Sequence, residues 1–220
     1  MKKPLVDYRE FRFSRLNEPR FSHLKLLGGW IFYFIMYFIT ENLIPPERHH
    51  LVHWFLDDRI PFNEWFLLFY VSWYALIVYC LIVFALYDIR SFKDLQKYII
   101  VTQVVAMIIY ILWPSVQDLR PAVFARDNPL TRLMAFIYGF DTPTGVCPSL
   151  HVAYTLGICS VWLKKKDASR VWKVVLVVWG VLICVSTAFV KQHSTLDILA
   201  ALPLGVLAEY LVFHGFLKEK

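Results

Sequence analysis

Two histidines in short polar segments have the spacing for acid–base or nucleophilic chemistry. His151 follows Pro148 and Ser149 in the segment CPSLH, and His193 precedes Asp197 by four residues in KQHSTLD. A carboxylate four residues after a histidine shares its face of a helix, where it can hold the imidazole in one tautomer and raise its basicity. The pattern predicts a reactive His193 oriented by Asp197, with His151 as a second acid–base group.

Donors for an anionic substrate accompany these histidines. Ser149 can add a hydroxyl donor to the free N–H groups of a helix first turn, and that end of a helix attracts anions. Arg120 presents a fork of donors that matches phosphate geometry, and Lys191 lies two residues before His193. The set favours transfer of a phosphoryl group from a phosphate ester. Protein cations would neutralise the developing charge, so we expect neither a metal nor another cofactor.

Apolar segments must position these residues, because the chain is strongly hydrophobic. Of its 220 residues, 58% are hydrophobic, and the mean hydropathy is +0.52. The apolar residues form blocks of roughly 20, the length of a helix that crosses about 30 Å of hydrocarbon. We therefore predict an all-α integral membrane protein with six transmembrane helices in a single bundle. The predicted spans are 24–44, 65–87, 95–113, 148–163, 171–190 and 195–217.

The basic residues predict how these spans are oriented. The net charge is +6, and Lys and Arg cluster between the apolar blocks, which favours orientation in a membrane over nucleic-acid binding. Polar segments on the side of the termini hold 17 Lys and Arg, against 6 on the other side. Both termini are therefore predicted to be cytoplasmic, with a basic segment at 1–23 and a membrane domain at 24–217. Arg120, His151 and His193 would then meet at the non-cytoplasmic face.

The order of these motifs resembles that of the type 2 phosphatidic acid phosphatase superfamily. The chain has RP at Arg120, PS-x-H ending at His151, and H-x-x-x-D from His193 to Asp197. The stretches CPSLHVA and STAFVKQHSTLD look most like the branch related to inositol phosphorylceramide synthase. The resemblance implies that His193 is the nucleophile that forms a phosphohistidine, that Asp197 orients it and that His151 protonates the leaving group. It also implies that Arg120 and Ser149 bind the phosphate.

The resemblance covers roughly residues 113–205 together with the six-span layout. The chain departs from the broad family pattern at two cation positions. A lysine of the first motif is replaced by Trp113, and an arginine of the third motif is replaced by Thr187. Lys191 is the candidate for supplying one of the missing charges. These departures favour the phosphotransferase-like branch within the superfamily.

The expected function is that of a membrane-embedded, metal-independent lipid phosphate phosphatase. If an alcohol replaces water as the acceptor, the same site would act as a headgroup phosphotransferase of the inositol phosphorylceramide synthase type. A lipid transporter and an inactive membrane scaffold are alternatives from other classes. The expected partners are a phosphorylated lipid or amphiphile and the bilayer, with the cell membrane as the expected location. The motifs specify neither the lipid, the acceptor nor the oligomeric state.

Two further groups of ionisable residues have no assigned role in this chemistry. Glu209 lies well inside the sixth predicted span, where a carboxylate is either functional or hydrogen-bonded near the interface. His49, His50 and His53 lie in the connector before the second span, and they are either interfacial residues or, less favoured, metal ligands.

Overall fold

The computed structural model describes residues 4–218, and the chain is about 70% helical. Among the described residues, the only strands are two of two residues each, β1 (His50–Leu51) and β2 (Ser115–Val116), which pair in parallel. The predicted all-α class is therefore confirmed.

The described residues form six α-helices of 15 residues or more and two shorter α-helices, together with five short 3-10 helices. The short helices, α2 and α5, lie in the connections at the end of the bundle that carries the two strands. In chain order the helices are α1 (Gly28–Leu43), α2 (Phe55–Arg59), α3 (Leu67–Tyr87), α4 (Ile89–Leu112), α5 (Pro129–Phe140), α6 (Leu150–Lys164), α7 (Arg170–Phe189) and α8 (Thr195–Phe213).

Five helical segments within 4–218 are long and apolar enough to cross a membrane. The helix at the fourth predicted span, α6, has 15 residues, which corresponds to about 22 Å at 1.5 Å per residue. That is shorter than the roughly 30 Å hydrocarbon core. The count of six spans therefore stays a prediction. The five segments are Ser22–Leu43, Glu64–Tyr87, Ile89–Leu112, Arg170–Phe189 and Thr195–Phe213.

The connections contain more helix than the sequence pattern predicts. Residues 88–94, which lie between the second and third predicted spans, are helical except for Asp88, whose carboxylate accepts a hydrogen bond from Ser91 N and caps α4. The cap consists of one residue, Asp88. As a result, α4 starts at Ile89 rather than at residue 95, where the third predicted span begins. The loop 115–147 also contains α5, which begins at a capping box formed by Asn128 and Thr131.

Helix α6 lies in the middle of the bundle, against α3, α4, α7 and α8. Small residues allow this close packing. A methyl group added at Gly157 would come within 2.5 Å of the Tyr98 ring on α4, and one added at Gly180 of α7 within 2.8 Å of Cys159 on α6. The core of the bundle is therefore formed around α6, whose first turn carries His151.

The two described ends of the chain lie at one end of the bundle. Leu5 N donates to Leu86 O at the end of α3, and Lys97 Nζ near the start of α4 donates to Leu217 O. Lys165, which follows α6, forms an ion pair with Asp88 at the same end. The basic segments predicted to share one side of a membrane are thus neighbours in the fold.

Backbone pairing holds three connections together at the opposite end. His50 N donates to Pro114 O and Val52 N donates to Val116 O, both over 2.8 Å. Gly145 N donates to Ser115 O over 2.8 Å, which attaches the segment before α6. The loops that follow α1, α4 and α5 therefore form one layer over the starts of α6 and α8.

Candidate active site

The pair of His193 and Asp197 lies at the start of α8. His193 Nδ1 is 3.2 Å from Asp197 Oδ2, and the same oxygen accepts from Ser194 N over 2.9 Å. Ser194 is the N-cap of α8, and its side chain accepts from Leu196 N. Asp197 is fully buried and His193 nearly so. The capping box fixes the carboxylate of Asp197, and this carboxylate orients the imidazole of His193 through Nδ1. The other ring nitrogen, Nε2, does not take part in the contact with Asp197.

His151 lies in the first turn of α6 and faces His193. The two rings are arranged edge to face with centroids 5.7 Å apart. Tyr70 and Trp73 of α3 flank the His151 ring, with centroid distances of 4.7 and 4.2 Å. Within the described residues, the buried His151 Nε2 has no hydrogen-bond partner. A buried nitrogen without a partner is available to a bound substrate atom.

Ser149 is the N-cap of α6, so the helix begins at Leu150, two residues later than the sequence pattern indicates, and Pro148 lies outside it. Ser149 Oγ accepts from Val152 N over 3.4 Å, and Ser149 N donates to Asp197 O over 3.1 Å. This second bond links the start of α6 directly to the start of α8. Ser149 is fully buried, and its role in binding phosphate stays a prediction.

Arg120 lies in the loop after β2, with its guanidinium bonded to protein acceptors. Nη1 donates to Tyr138 O over 3.0 Å, and Nη2 donates to Asp141 O over 2.7 Å and to Gln192 Oε1 over 2.6 Å. The guanidinium also lies over the Tyr138 ring at 4.5 Å. Burial lowers the pKa of Arg120 from its ordinary value. Arg120 Nε is buried and unpaired among the described groups.

The Lys191 side chain contacts α2. Its Nζ donates to the backbone oxygen of Asp57 over 2.7 Å, and burial lowers the pKa of the ammonium. The backbone at Lys191 has a φ of 53°, in the left-handed region that residues other than glycine seldom adopt. The next two residues, Gln192 and His193, are buried. A phosphate contact from Lys191 stays a prediction.

A cavity of about 70 Å³ lies between these elements. It has room for a few water molecules or a small polar group, and it is far smaller than the roughly 300–1,000 Å³ of a typical ligand pocket. A lipid would therefore insert only its reacting group. Both His151 and His193 line the cavity, together with Tyr33, Tyr37, Tyr110, Asp141, Thr142, Thr144, Gly145, Leu150 and Gln192.

Sequence reasoning missed Asp141 and Gln192. Gln192 Oε1 accepts from Arg120 while its Nε2 donates to Asp141 Oδ2 over 3.0 Å, so one amide joins the cation to the carboxylate. Burial raises the pKa of Asp141. Gln192 directly precedes His193 and could have been found from that position, whereas Asp141 belongs to none of the three motifs.

Sequence reasoning also missed Asp57 of α2, which contacts the residues that follow His193. Its carboxylate accepts from Ser194 Oγ, from Thr195 N over 2.7 Å and from Thr195 Oγ1 over 2.9 Å. Burial by itself raises the pKa of Asp57, but the hydrogen bonds from Ser194, Thr195 and Trp54 outweigh burial and leave the pKa below its ordinary value. Asp57 is therefore held as a carboxylate beside the start of α8.

Glu209 and the three connector histidines lie outside this cavity. Glu209 accepts from Ser160 Oγ and pairs with Lys164 at the end of the bundle that carries the termini. His50 stacks on Trp113 with centroids 5.1 Å apart, and His49 contacts the Pro46 carbonyl. His53 lies between the carboxylates of Asp58 and Asp118, at 2.9 and 2.8 Å.

The fold is that of a helical protein with membrane-type spans, and two histidines line one cavity at an end of its bundle. The profile of the PAP2 superfamily matches residues 94–220, which is more than half of the chain. The chain therefore belongs to the PAP2 superfamily, whose members are phosphatases or phosphotransferases. No curated protein and no solved structure matches the chain.

Proposed function

We propose that the protein hydrolyses the phosphoester of a membrane lipid or amphiphile through a phosphohistidine on His193. The observation that carries the proposal is the contact of His193 Nδ1 with Asp197 beside a second, unpaired imidazole, His151, in the same cavity. An imidazole that donates from Nδ1 to a carboxylate has its Nε2 lone pair free for attack.

In the first step, His193 Nε2 forms a bond to phosphorus and the bond from phosphorus to the leaving oxygen breaks. Protonated His151 gives its proton to that oxygen, so the product leaves as an alcohol. In the second step, neutral His151 takes a proton from water, the water oxygen bonds to phosphorus and the N–P bond breaks. Asp197 stabilises the positive charge that His193 acquires when it attacks.

Phosphate binding in this proposal uses groups of the protein alone. Arg120 supplies the main cation. It binds the phosphate either through its unpaired Nε or through an Nη atom that gives up its hydrogen bond to a backbone carbonyl. The backbone amides in the first turn of α6 supply dipoles. Ser149 and Lys191 are the further proposed ligands. We propose that the reaction is metal-independent, because these groups neutralise the phosphoryl oxygens without a divalent ion.

The proposed topology has six spans and both termini in the cytoplasm. The basic segments at the end of the bundle with the termini support this orientation through the positive-inside effect. The cavity would then open at the non-cytoplasmic face of the cell membrane. Its small volume favours a substrate whose acyl chains remain in the bilayer while the phosphate enters.

The test is phosphate release from phosphatidate by the detergent-purified protein in the presence of EDTA. We expect release by the wild type and none by His193→Ala. Trapping during turnover should also give an acid-labile, base-stable phosphoprotein that is absent from the variant. Release that survives in His193→Ala, or that stops when EDTA is added to the wild type, would contradict the proposal.

Headgroup transfer of the inositol phosphorylceramide synthase type is the second candidate. Asp141, which lines the cavity, favours this candidate. A phosphomonoester can carry two negative charges and a phosphodiester carries one, so a carboxylate in the cavity repels the monoester more strongly than the diester. Lipid mass spectrometry after incubation with a phospholipid and a lipid alcohol tests this candidate. A new phosphodiester that depends on His193 would establish transfer, and its absence alongside phosphatidate hydrolysis would exclude it.

A further inference from the structure

Two aromatic rings that lie one turn apart on α3 contact the His151 ring. The Tyr70 ring stacks on the imidazole with centroids 4.7 Å apart and an interplanar angle of 27°. The Trp73 ring lies 4.2 Å from it at an angle of 39°, and both aromatic side chains are buried. At these short distances and shallow angles, the imidazole meets the faces of both rings. The faces of aromatic rings attract cations within about 6 Å of the ring centroid.

Further contacts fix the two rings independently of the imidazole. Trp73 also stacks on Tyr154 of α6, with centroids 5.7 Å apart and an angle of 19°. The Tyr70 hydroxyl donates to Asp141 Oδ2 and accepts from Gln192 Nε2, both over 3.4 Å. Because each ring has a partner of its own, the two rings form a fixed aromatic surface beside the imidazole.

His151 lacks an anionic partner in the described part of the chain. His193 bonds to Asp197, whereas the buried Nε2 of His151 has no hydrogen-bond partner and the ring forms no ion pair. Two other carboxylates, one lining the cavity and one behind its wall, bond to neutral groups. Asp141 accepts from Gln192, Tyr37 and Tyr70, and Glu41 accepts from Thr142 and Thr144. No bonded carboxylate therefore balances a proton on His151.

The proposed mechanism requires His151 to carry a proton for part of each cycle. His151 takes this proton from the attacking water in the second step, and it keeps the proton until the next leaving oxygen accepts it. A buried imidazolium without a bonded anion is costly, because burial disfavours the charged form. The faces of Tyr70 and Trp73 offset this cost, since a ring face attracts a cation most strongly where water is excluded.

We propose that Tyr70 and Trp73 are positioning residues that stabilise the protonated form of His151 and fix its orientation. This inference rests on the proposed function, since it takes His151 as the acid that protonates the leaving oxygen. The two rings act through His151, so their importance depends on how much the leaving oxygen needs a proton. An alkyl phosphate needs this proton because an alkoxide is a poor leaving group, whereas p-nitrophenolate leaves without one.

The test compares kcat/KM for n-octyl phosphate and p-nitrophenyl phosphate in the purified full-length protein. This parameter reports the steps up to formation of the phosphohistidine. The ratio of p-nitrophenyl to n-octyl values is independent of any fraction of a variant that fails to fold, because both substrates meet the same preparation. Tyr70→Leu and Trp73→Leu should each raise this ratio about tenfold. His151→Ala should raise it by about 10²–10⁴.

Conservative variants separate the effect of the rings from that of their polar atoms. Tyr70→Phe keeps the ring and loses the hydroxyl, and Trp73→Phe keeps an aromatic face. Both variants should leave the ratio within about threefold of the wild-type value. Phe69→Leu is the control and should leave the ratio unchanged, because Phe69 lies on the same helix but its ring packs on Trp179 at 5.3 Å.

Equal losses for the two substrates in Tyr70→Leu and Trp73→Leu, with an unchanged ratio, would overturn the inference. A ratio that rises as much in Tyr70→Phe would overturn it in favour of the hydroxyl. A rise in Asp141→Asn without a rise in the leucine variants would overturn it in favour of the carboxylate. Hydrolysis that survives in His193→Ala or is absent from the wild type, or an unchanged ratio in His151→Ala, contradicts the proposed function itself, and the inference falls with it.

Discussion

Ser194 Oγ donates a 2.5 Å hydrogen bond to Asp57 Oδ2, which joins residues 137 positions apart in the chain. Through this contact, a helix of five residues between α1 and α3 holds the start of α8. Thr195 N and Thr195 Oγ1 donate to the other oxygen of the same carboxylate. The residues directly after His193 are therefore positioned by a group that lies outside the three motifs.

Replacing Asp57 by alanine should lower turnover and stability together. The buried Ser194 hydroxyl would lose its partner at a cost of about 1–3 kcal/mol, and the two half-buried Thr195 donors would lose theirs at a smaller cost. We expect Asp57→Ala to reduce kcat about tenfold or more with little change in KM, and Asp57→Asn to recover part of the loss. Steady-state kinetics and thermal unfolding measure both effects.

The neighbouring Asp58 provides the control for Asp57, since its carboxylate contacts His53 instead of α8. Asp58→Asn should retain turnover. An Asp57→Ala protein with wild-type kcat would show that the contact with Ser194 has no part in positioning His193.

Replacing Asp197 by asparagine should slow the reaction while the fold survives. An amide at this position occupies the same volume but cannot stabilise the charge that His193 gains on attack. By analogy with other histidine–carboxylate pairs, we expect kcat to fall by about 10²–10⁴ with KM nearly unchanged. A decrease of less than about threefold, with an unchanged melting temperature, would mean that Asp197 does not support the reactive histidine.

Replacing Arg120 by lysine should reduce both stability and activity. A single ammonium cannot reproduce the bonds of the guanidinium to Tyr138 O, Asp141 O and Gln192 Oε1. Hydrogen bonds to charged groups contribute about 1.5–3 kcal/mol each. We therefore expect the free energy of unfolding of Arg120→Lys to be about 2–4 kcal/mol lower than that of the wild type. Denaturation in mild detergent measures this loss. Unchanged stability with reduced phosphate affinity would instead mark Arg120 as a phosphate ligand alone.

The stability of the protein should decrease as the pH rises through the titration of His53, which lies at the end of the bundle that carries β1 and β2. Hydrogen bonds to Asp118 and Asp58 raise the pKa of His53 in the folded protein. Protonated His53 therefore stabilises the fold, fully below its ordinary pKa of 6.5 and progressively less as the pH rises through the folded value. The effect should be small because the side chain is accessible to solvent.

Comparing melting temperatures of the wild type and His53→Gln at about pH 5.5 and about pH 8.5 measures this effect. The wild type should be the more stable protein at the lower pH, and the difference should shrink at the higher pH. His49→Gln is the control, because the His49 ring contacts the Pro46 carbonyl rather than a carboxylate. A difference that grows with pH would contradict the assignment.

Much of the fold could be predicted from local sequence, because apolar blocks long enough to span a bilayer form helices whatever surrounds them. The predicted all-α class is therefore confirmed, and the PAP2 superfamily match includes the segments that carry His151, His193 and Asp197. The His193–Asp197 contact follows from spacing and capping at one helix start, which local sequence also determines. The start of α4 could not be predicted as well, since a single capping residue, Asp88, separates α3 from α4 where the predicted spans leave seven residues between them.

Only the tertiary structure decided which side chains from other segments meet at this site. Asp57, Glu41 and Asp141 lie in different connections or helix ends, and apart from Trp54 N, which donates to Asp57, their partners cited above are 51 to 138 residues away in the chain. No periodicity or spacing relates such positions, because their contacts depend on how the helices pack around α6 and on the pairing of β1 with β2. The sequence by itself determined which two histidines are the candidates for the chemistry, and the packing of the bundle determined the charge and aromatic lining of the cavity around them.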